Sequence, residues 1–254
     1  MNYKLVIDSD SLLYVAGYRH IESLNAEHMY ADFLKEVGKI ETALWARTGY
    51  CKGDTLSTEL ILTVGSNFRY TIFPQYKSNR KEKTELDKTV SKLRKLALER
   101  LDYCYYHENA EADDVIISMV NTHTDSTTKL FISCIDKDVT NASLVPSWNY
   151  KKNVWDEASI AEQVEKWYLT QAIMGDSSDA IPGIKGTGKV GAAKIMSAQY
   201  LTAEQYAAHF ESREHCELMN QLVRMDQYNI HTKELKLWTL ADFIEPVEPE
   251  EDIW

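Results

Sequence analysis

Three short apolar runs, KLVI at 4–7, ELILTV at 59–64 and KLFISCI at 129–135, are rich in β-branched residues and bounded by polar turn-formers. That pattern predicts buried strands. Between and after them the apolar positions recur three and four apart, around 27–47, 84–101, 112–121, 157–174, 189–197 and 214–227, which predicts helices. Strands alternating with helices imply an α/β fold with a central, mainly parallel sheet flanked by helices. Strand character fades beyond about residue 157. The expected organisation is an α/β core over 1–156, a helical subdomain over 157–244 and a loose tail over 245–254, where EPVEPEED offers little to pack.

Composition narrows the class. With 254 residues and 44% hydrophobic content, the chain can bury a substantial core. No run of roughly 18 uncharged apolar residues occurs, and MNYKLVIDSDSLL shows no basic stretch leading into a clean apolar one, so a cytoplasmic protein without membrane contact is expected. Cys51, Cys104, Cys134 and Cys216 form no CxxC pair, and the seven histidines lack HExxH spacing; reduced thiols are expected and zinc is not. A net charge of −11 argues against coating nucleic acid by bulk charge. The charge is segregated, however. Residues 69–100 hold ten basic and four acidic side chains, a local +6.

The acids form four clusters. The first strand runs into Asp8-Ser9-Asp10 and the strand at 129–135 into Asp136-Lys137-Asp138, so two strands carry D-x-D beyond their C-terminal ends, where ligand sites form in open parallel sheets. Glu111, Asp113 and Asp114 precede the apolar run VIISMV, and Asp176 and Asp179 lie in GDSSD. Taken singly, such acids serve equally well as turn residues and helix caps. Taken together, clustered carboxylates repel unless a cation joins them, and oxygen-only ligands favour Mg²⁺ or Mn²⁺. Two-metal phosphodiester hydrolysis suits such a site, with no protein nucleophile required.

Two further segments point to nucleic acid. GDSSDAIPGIKGTGKVGAAKI (175–195) supplies glycines for tight turns and close approach to phosphate, followed by a helix start. It is not a Walker loop, because Val190 stands where Ser or Thr is needed. The plain alternative is an ordinary connection between helices. FRYTIFPQYKSNRKEK (68–83) mixes aromatic and basic residues that can stack on bases and pair with phosphates. Tyr76, Lys77 and Arg80 precede the helical pattern, whereas Lys88, Lys92 and Lys95 read as a solvated helix face.

VIDSDSLLY, NFRYTIFPQYKSNRK, EADDVI, ISCIDKDV and MGDSSDAIPGIKGTGKVGAAKI, with the late MDQYNIHTKELKLW, together resemble the 5′-nuclease family of 5′→3′ exonucleases and flap endonucleases. The likeness is strongest to the short stand-alone exonucleases of lytic tailed phages, and it spans nearly the whole chain. It implies metal binding by Asp8, Glu111, Asp113, Asp114, Asp136 and Asp138, with Asp176 and Asp179 completing a second site and Asp10 following the phage form. It implies a helical arch over about 74–105 with Lys77 and Arg80 at its base, catalytic roles for Lys77, Arg80, Asp113 and Asp136, and DNA contacts from Arg69, Tyr76 and Lys83. The hairpin residues Gly183, Ile184, Lys185, Gly186, Gly188 and Lys189 match a helix–three-turn–helix that grips duplex, with K⁺ bound there in many members. Expected partners are duplex DNA with 5′ ends, nicks or flaps, RNA–DNA hybrid and replication proteins, with the chain itself a monomer. One departure stands out. Members carry an aspartate shortly before the asparagine–aromatic–arginine triplet, where this chain has Val64-Gly65-Ser66. That leaves a catalytically impaired DNA-structure-binding homologue as the alternative to an active nuclease; a PIN-like ribonuclease fits less well, lacking hairpin and arch.

Overall fold

Side chains alternate between the two faces of a sheet, and the central strands show it. On β1 (Asn2–Asp8) Leu5 and Ile7 enter one core while Val6 enters another; on β2 (Thr55–Ile61) Leu60 and Ile61 divide in the same way. The computed structural model describes residues 1–49, 51–198 and 201–244. The expected acidic tail over 245–254 lies outside the described residues.

Six strands form one sheet in the order β3-β2-β1-β4-β5-β6, with β3 at Cys104–Tyr105, β4 at Thr128–Ser133, β5 at Ser147–Asn149 and β6 at Val154–Asp156. All neighbours are parallel except β5 and β6. Both faces are covered. Helices α1 (Ser9–Arg19), α2 (Ala26–Thr48) and α4 (Glu85–Arg100) bury Leu12, Phe33 and Leu93 on one face. On the other, α5 (Ala112–Asn121) and α6 (Lys137–Ala142) bury Val115, Ile116 and Val139. The short α3 (Phe68–Ile72) follows β2. Helices α7 (Ala161–Met174), α8 (Lys189–Ile195), α9 (Ala203–Ala207) and α10 (Arg213–Val223) share a third core around Ile173, Tyr206 and Met219.

Strand β1 is the switch point of this topology: the chain passes to β2 on one side and to β4 on the other. The carboxyl ends of adjacent strands diverge there, which opens the crevice that open α/β sheets use for ligands. Asp8, at the end of β1, and Asp136, after β4, stand at that crevice.

The expected arch differs from the structure in its second half. α4 buries Leu86, Val90, Leu93 and Ala97 against the first core, beside α1 and α2. An apolar stripe of that width cannot stay in solvent. The stretch before α4, residues 74–84, is turn and coil, anchored by Tyr76 in the third core and exposed from residue 78 on, and Lys88 and Lys95 pair with Glu85 and Glu99 on the exposed face.

Candidate active site

Asp8 ends β1 and caps α1: its Oδ1 accepts the Asp10 backbone N–H at 3.2 Å and its Oδ2 the Ser11 hydroxyl at 3.2 Å. Asp136 caps α6 in the same way, accepting the Asp138 N–H at 2.7 Å. Capping satisfies orphan helix donors and also fixes each carboxylate in direction. Asp113, in the first turn of α5, makes no side-chain hydrogen bond to a described residue. Burial and then the charges of Asp8, Asp136 and Glu111 push its carboxyl well above the usual range. Burial, with Asp10 next, pushes Asp8 up to about 7. Asp138 is raised to about 6 by burial and then by Asp136, with Asp176 and Asp179 adding to the effect. Like charges held this closely destabilise the ionised forms.

Glu111, Asp113, Asp136, Asp138, Asp176 and Asp179 line one cavity of about 570 Å³, together with Lys77 and Arg80. Asp176 and Asp179 arrive on the turn after α7, where Asp176 and Ile181 exchange both backbone hydrogen bonds. Among the cavity residues that escaped the sequence reading are Gln171, 3.5 Å from Asp138 Oδ1, and Trp167. Gln171 precedes Met174 on α7 by three positions, and that helical spacing is the signal that finds it.

Lys77 and Tyr76 bridge the acid groups. Lys77 Nζ is ion-paired with Glu111 and lies 3.5 Å from Asp179, while the Tyr76 hydroxyl lies 2.8 Å from Glu111 Oε2 and 3.0 Å from Asp179 Oδ2 and has one proton for the two. Burial alone would raise Glu111, but Lys77 and then Arg69 hold it below the usual carboxylate range. Lys77 also donates its backbone N–H to the Asp179 carbonyl at 2.8 Å, which clips the 74–84 stretch to the turn after α7.

Four assignments change. Asp10 is not directed at the cavity: Arg94 from α4 holds its Oδ1 at 2.9 Å and the Thr63 N–H its Oδ2 at 2.9 Å. Thr63 Oγ1 in turn accepts the Ala112 N–H at 2.9 Å, so Asp10 ties α1, α4, the end of β2 and the start of α5 together, next to the segment that lacks its acid. Asp114 is 1% exposed and gives both oxygens to Arg69, at 2.8 and 2.7 Å, which leaves it no face toward an ion. Arg69, expected on DNA, is itself buried and donates to the Leu222 and Arg224 carbonyls at the end of α10. Tyr76 is buried too and cannot offer its ring to a base.

The glycines of the hairpin have distinct duties. A Cβ on Gly183, at φ +61, would sit 2.4 Å from the Gly175 nitrogen, so this glycine lets two backbones touch. Gly186 (φ +78) and Gly188 have open space instead. Ile184 packs into the third core, whereas Lys185 and Lys189 are exposed. Lys83 is exposed on the 74–84 stretch, away from the cavity.

Among the described residues, no three His, Cys, Asp or Glu side chains are arranged to hold one ion as they stand; Lys77 and Tyr76 occupy the free oxygens of Glu111 and Asp179. The donor set nevertheless suits a hard divalent cation. It is all oxygen, and Asp113 stands among like charges without a hydrogen-bond donor. No described helix is long and apolar enough to cross a membrane.

A DNA polymerase I of Bacillus caldotenax is 31% identical over 158 residues, 58% of this chain and 18% of the polymerase. That of Bacillus subtilis is 28% identical over 182 residues, 67% of this chain and 21% of the polymerase. The chain spans about a fifth of the length of these curated relatives. The T5 D15 protein co-crystallised with metal ions has the same fold, with a TM-score of 0.64, 17% identity and coverage of 89% of this chain and 90% of that one. A bacteriophage T5 D15 flap endonuclease in complex with DNA and metal ions gives a TM-score of 0.59 at 18% identity, with the same coverage. The model of the 5′-3′ exonuclease N-terminal, resolvase-like domain matches residues 4–165, well over half of the sequence. The chain therefore belongs to the 5′-3′ exonuclease family.

Proposed function

We propose that this protein is a metal-dependent nuclease that hydrolyses phosphodiester bonds at or near the 5′ ends of duplex DNA, as a 5′→3′ exonuclease and flap endonuclease. The observation that carries this reading is the gathering of Glu111, Asp113, Asp136, Asp138, Asp176 and Asp179 around one cavity at the sheet's switch point, in a chain of this family. Asp8, Glu111, Asp113 and Asp136 would hold one ion and Asp138, Asp176 and Asp179 a second, with Mg²⁺ or Mn²⁺ fitting the oxygen donors. Such a pair lowers the pKa of the attacking water and steadies the leaving oxygen.

The rest of the work falls to the chain. Lys77 and Arg80, both at the cavity, neutralise the phosphate that enters it, and a cation held by Glu111 would take the place of the Lys77 ion pair there. The 183–189 hairpin, with its open Gly186 and Gly188 and exposed Lys185 and Lys189, grips the duplex backbone, with K⁺ as a candidate aid. Because Gly183 and Gly175 touch, a duplex held there stays at a fixed distance from Asp176 and Asp179. Nicks, flaps and RNA–DNA hybrids are the substrates in view, processed by a monomer in the cytoplasm during phage replication or recombination, with other replication proteins at hand.

The test is polarity. With Mg²⁺, 5′-labelled duplex is expected to release its label as mono- or short oligonucleotides early in the reaction, while 3′-labelled duplex gives a descending ladder and a 5′ flap is cut near its junction. Release of the 3′ label first overturns the reading. Binding of every substrate without cleavage leaves the non-enzymatic DNA-structure-binding alternative, which the absent acid at Val64-Gly65-Ser66 would then explain.

A further inference from the structure

Asp8 has one neighbour chain that the proposed reaction does not use. The Tyr150 hydroxyl lies 2.7 Å from Ser11 Oγ, and Ser11 Oγ lies 3.2 Å from Asp8 Oδ2. Ser11 has one proton to give. When Asp8 is ionised, as it must be to hold a cation, its carboxylate only accepts; the Ser11 proton then goes to Asp8, and Ser11 accepts from Tyr150. The direction of the chain is thereby fixed: Tyr150 to Ser11 to Asp8.

Tyr150 is held in place to do this. It follows β5 directly, and β5 pairs with β4 through Ile132↔Ser147 and Ser133↔Trp148. The turn it sits on is locked by Asn149, whose side chain accepts the Lys152 N–H at 3.0 Å and whose carbonyl accepts the Asn153 N–H at 2.8 Å. Its ring packs against the first core. Ser11 is equally fixed, one turn into α1. Without Tyr150, the Ser11 hydroxyl is free to turn to the Asp8 carbonyl, 3.3 Å away, and Asp8 Oδ2 loses its donor.

We infer that Tyr150 is a positioning residue for cleavage: acting through Ser11, it sets the orientation in which the Asp8 carboxylate meets a divalent cation. The inference rests on the reading of Asp8 as a metal ligand. Outer hydrogen bonds to ligating carboxylates are worth about 10–100-fold in metal affinity or activity.

Calorimetric titration of the DNA-free 254-residue chain with Mn²⁺ tests it. Tyr150→Phe is expected to weaken Mn²⁺ binding about 10-fold and to raise the Mn²⁺ concentration for half-maximal cleavage in parallel, while duplex affinity in EDTA and the melting temperature stay at the wild-type values. Ser11→Ala should match it, and the double variant should be no weaker than Ser11→Ala, because both changes cut one chain. Wild-type Mn²⁺ affinity in Tyr150→Phe, or losses that add in the double variant, overturns the inference. An Asp8→Asn control separates the two levels. If Asp8→Asn weakens Mn²⁺ binding and Tyr150→Phe does not, only the relay fails; if Asp8→Asn changes nothing, the metal-site reading fails and takes the relay with it.

Discussion

Replacing Asp113 by alanine is expected to slow single-turnover cleavage of 5′-ended duplex by about 10³-fold or more, equivalent to about 4 kcal/mol of lost transition-state stabilisation. Asp113 faces Asp8, Asp136 and Glu111 from the first turn of α5 and makes no side-chain hydrogen bond to a described residue, which leaves its charge available to a cation. Two companion results follow from the same geometry. Duplex binding in EDTA should persist in the variant, since the hairpin is untouched. The metal-free variant should also melt at a higher temperature than the metal-free wild type, because a buried carboxylate among like charges opposes folding. A variant that keeps more than a tenth of the wild-type rate would remove Asp113 from the metal site.

Arg69→Ala is expected to cost about 3–5 kcal/mol of stability, the usual consequence of leaving a buried carboxylate without its partner. Asp114 is 1% exposed, and Arg69 is its bidentate partner. The same guanidinium donates to the Leu222 and Arg224 carbonyls, joining the helix that bears the acids to α10. Burial alone would lower its pKa, but the Asp114 charge outweighs that and holds Arg69 cationic. Arg224 extends the seam, binding Glu165 at 2.6 Å and Asp226 at 2.9 Å. For a chain of this size the loss corresponds to roughly 10 °C in melting temperature, measurable by calorimetry. A variant that melts like the wild type but binds duplex poorly would return Arg69 to the DNA-contacting role that its position in NFRY suggests.

The sheet, its helical cover and the acid cavity were largely legible in the sequence because they rest on period. KLVI, ELILTV and KLFISCI show the apolar density of strands buried on both faces, and they became β1, β2 and β4. The short elements were not legible. α1 was missed because Asp8-Ser9-Asp10 reads as a turn; the structure makes Asp8 both the end of a strand and the cap of a helix. α6 was missed for the same reason at Asp136. Strands β3, β5 and β6 are two or three residues long, too short to carry a pattern.

Within the site, chemistry by residue type located the acids but not their partners. Nothing in EADD separates Asp113, which faces the cavity, from Asp114, which faces Arg69. One residue along a helix turns the side chain by about 100°, and only the packing of α5 decides which acid looks outward. The same holds for D-x-D at 8–10, where Arg94, distant in sequence, captures Asp10. Basic and aromatic residues mislead in the opposite sense: Arg69 and Tyr76 look like nucleic-acid contacts by type, and long-range pairing turns both inward.

Anomalous diffraction from crystals soaked in millimolar Mn²⁺ shows whether the acids at the switch point hold the ions that drive cleavage. Two peaks are expected in the cavity, one among Asp8, Glu111, Asp113 and Asp136 and one among Asp138, Asp176 and Asp179, with Lys77 displaced from Glu111. Crystals with no Mn²⁺ peak in the cavity, or with Mn²⁺ bound only at Asp10 or Asp114, would show that these acids do not hold the ions.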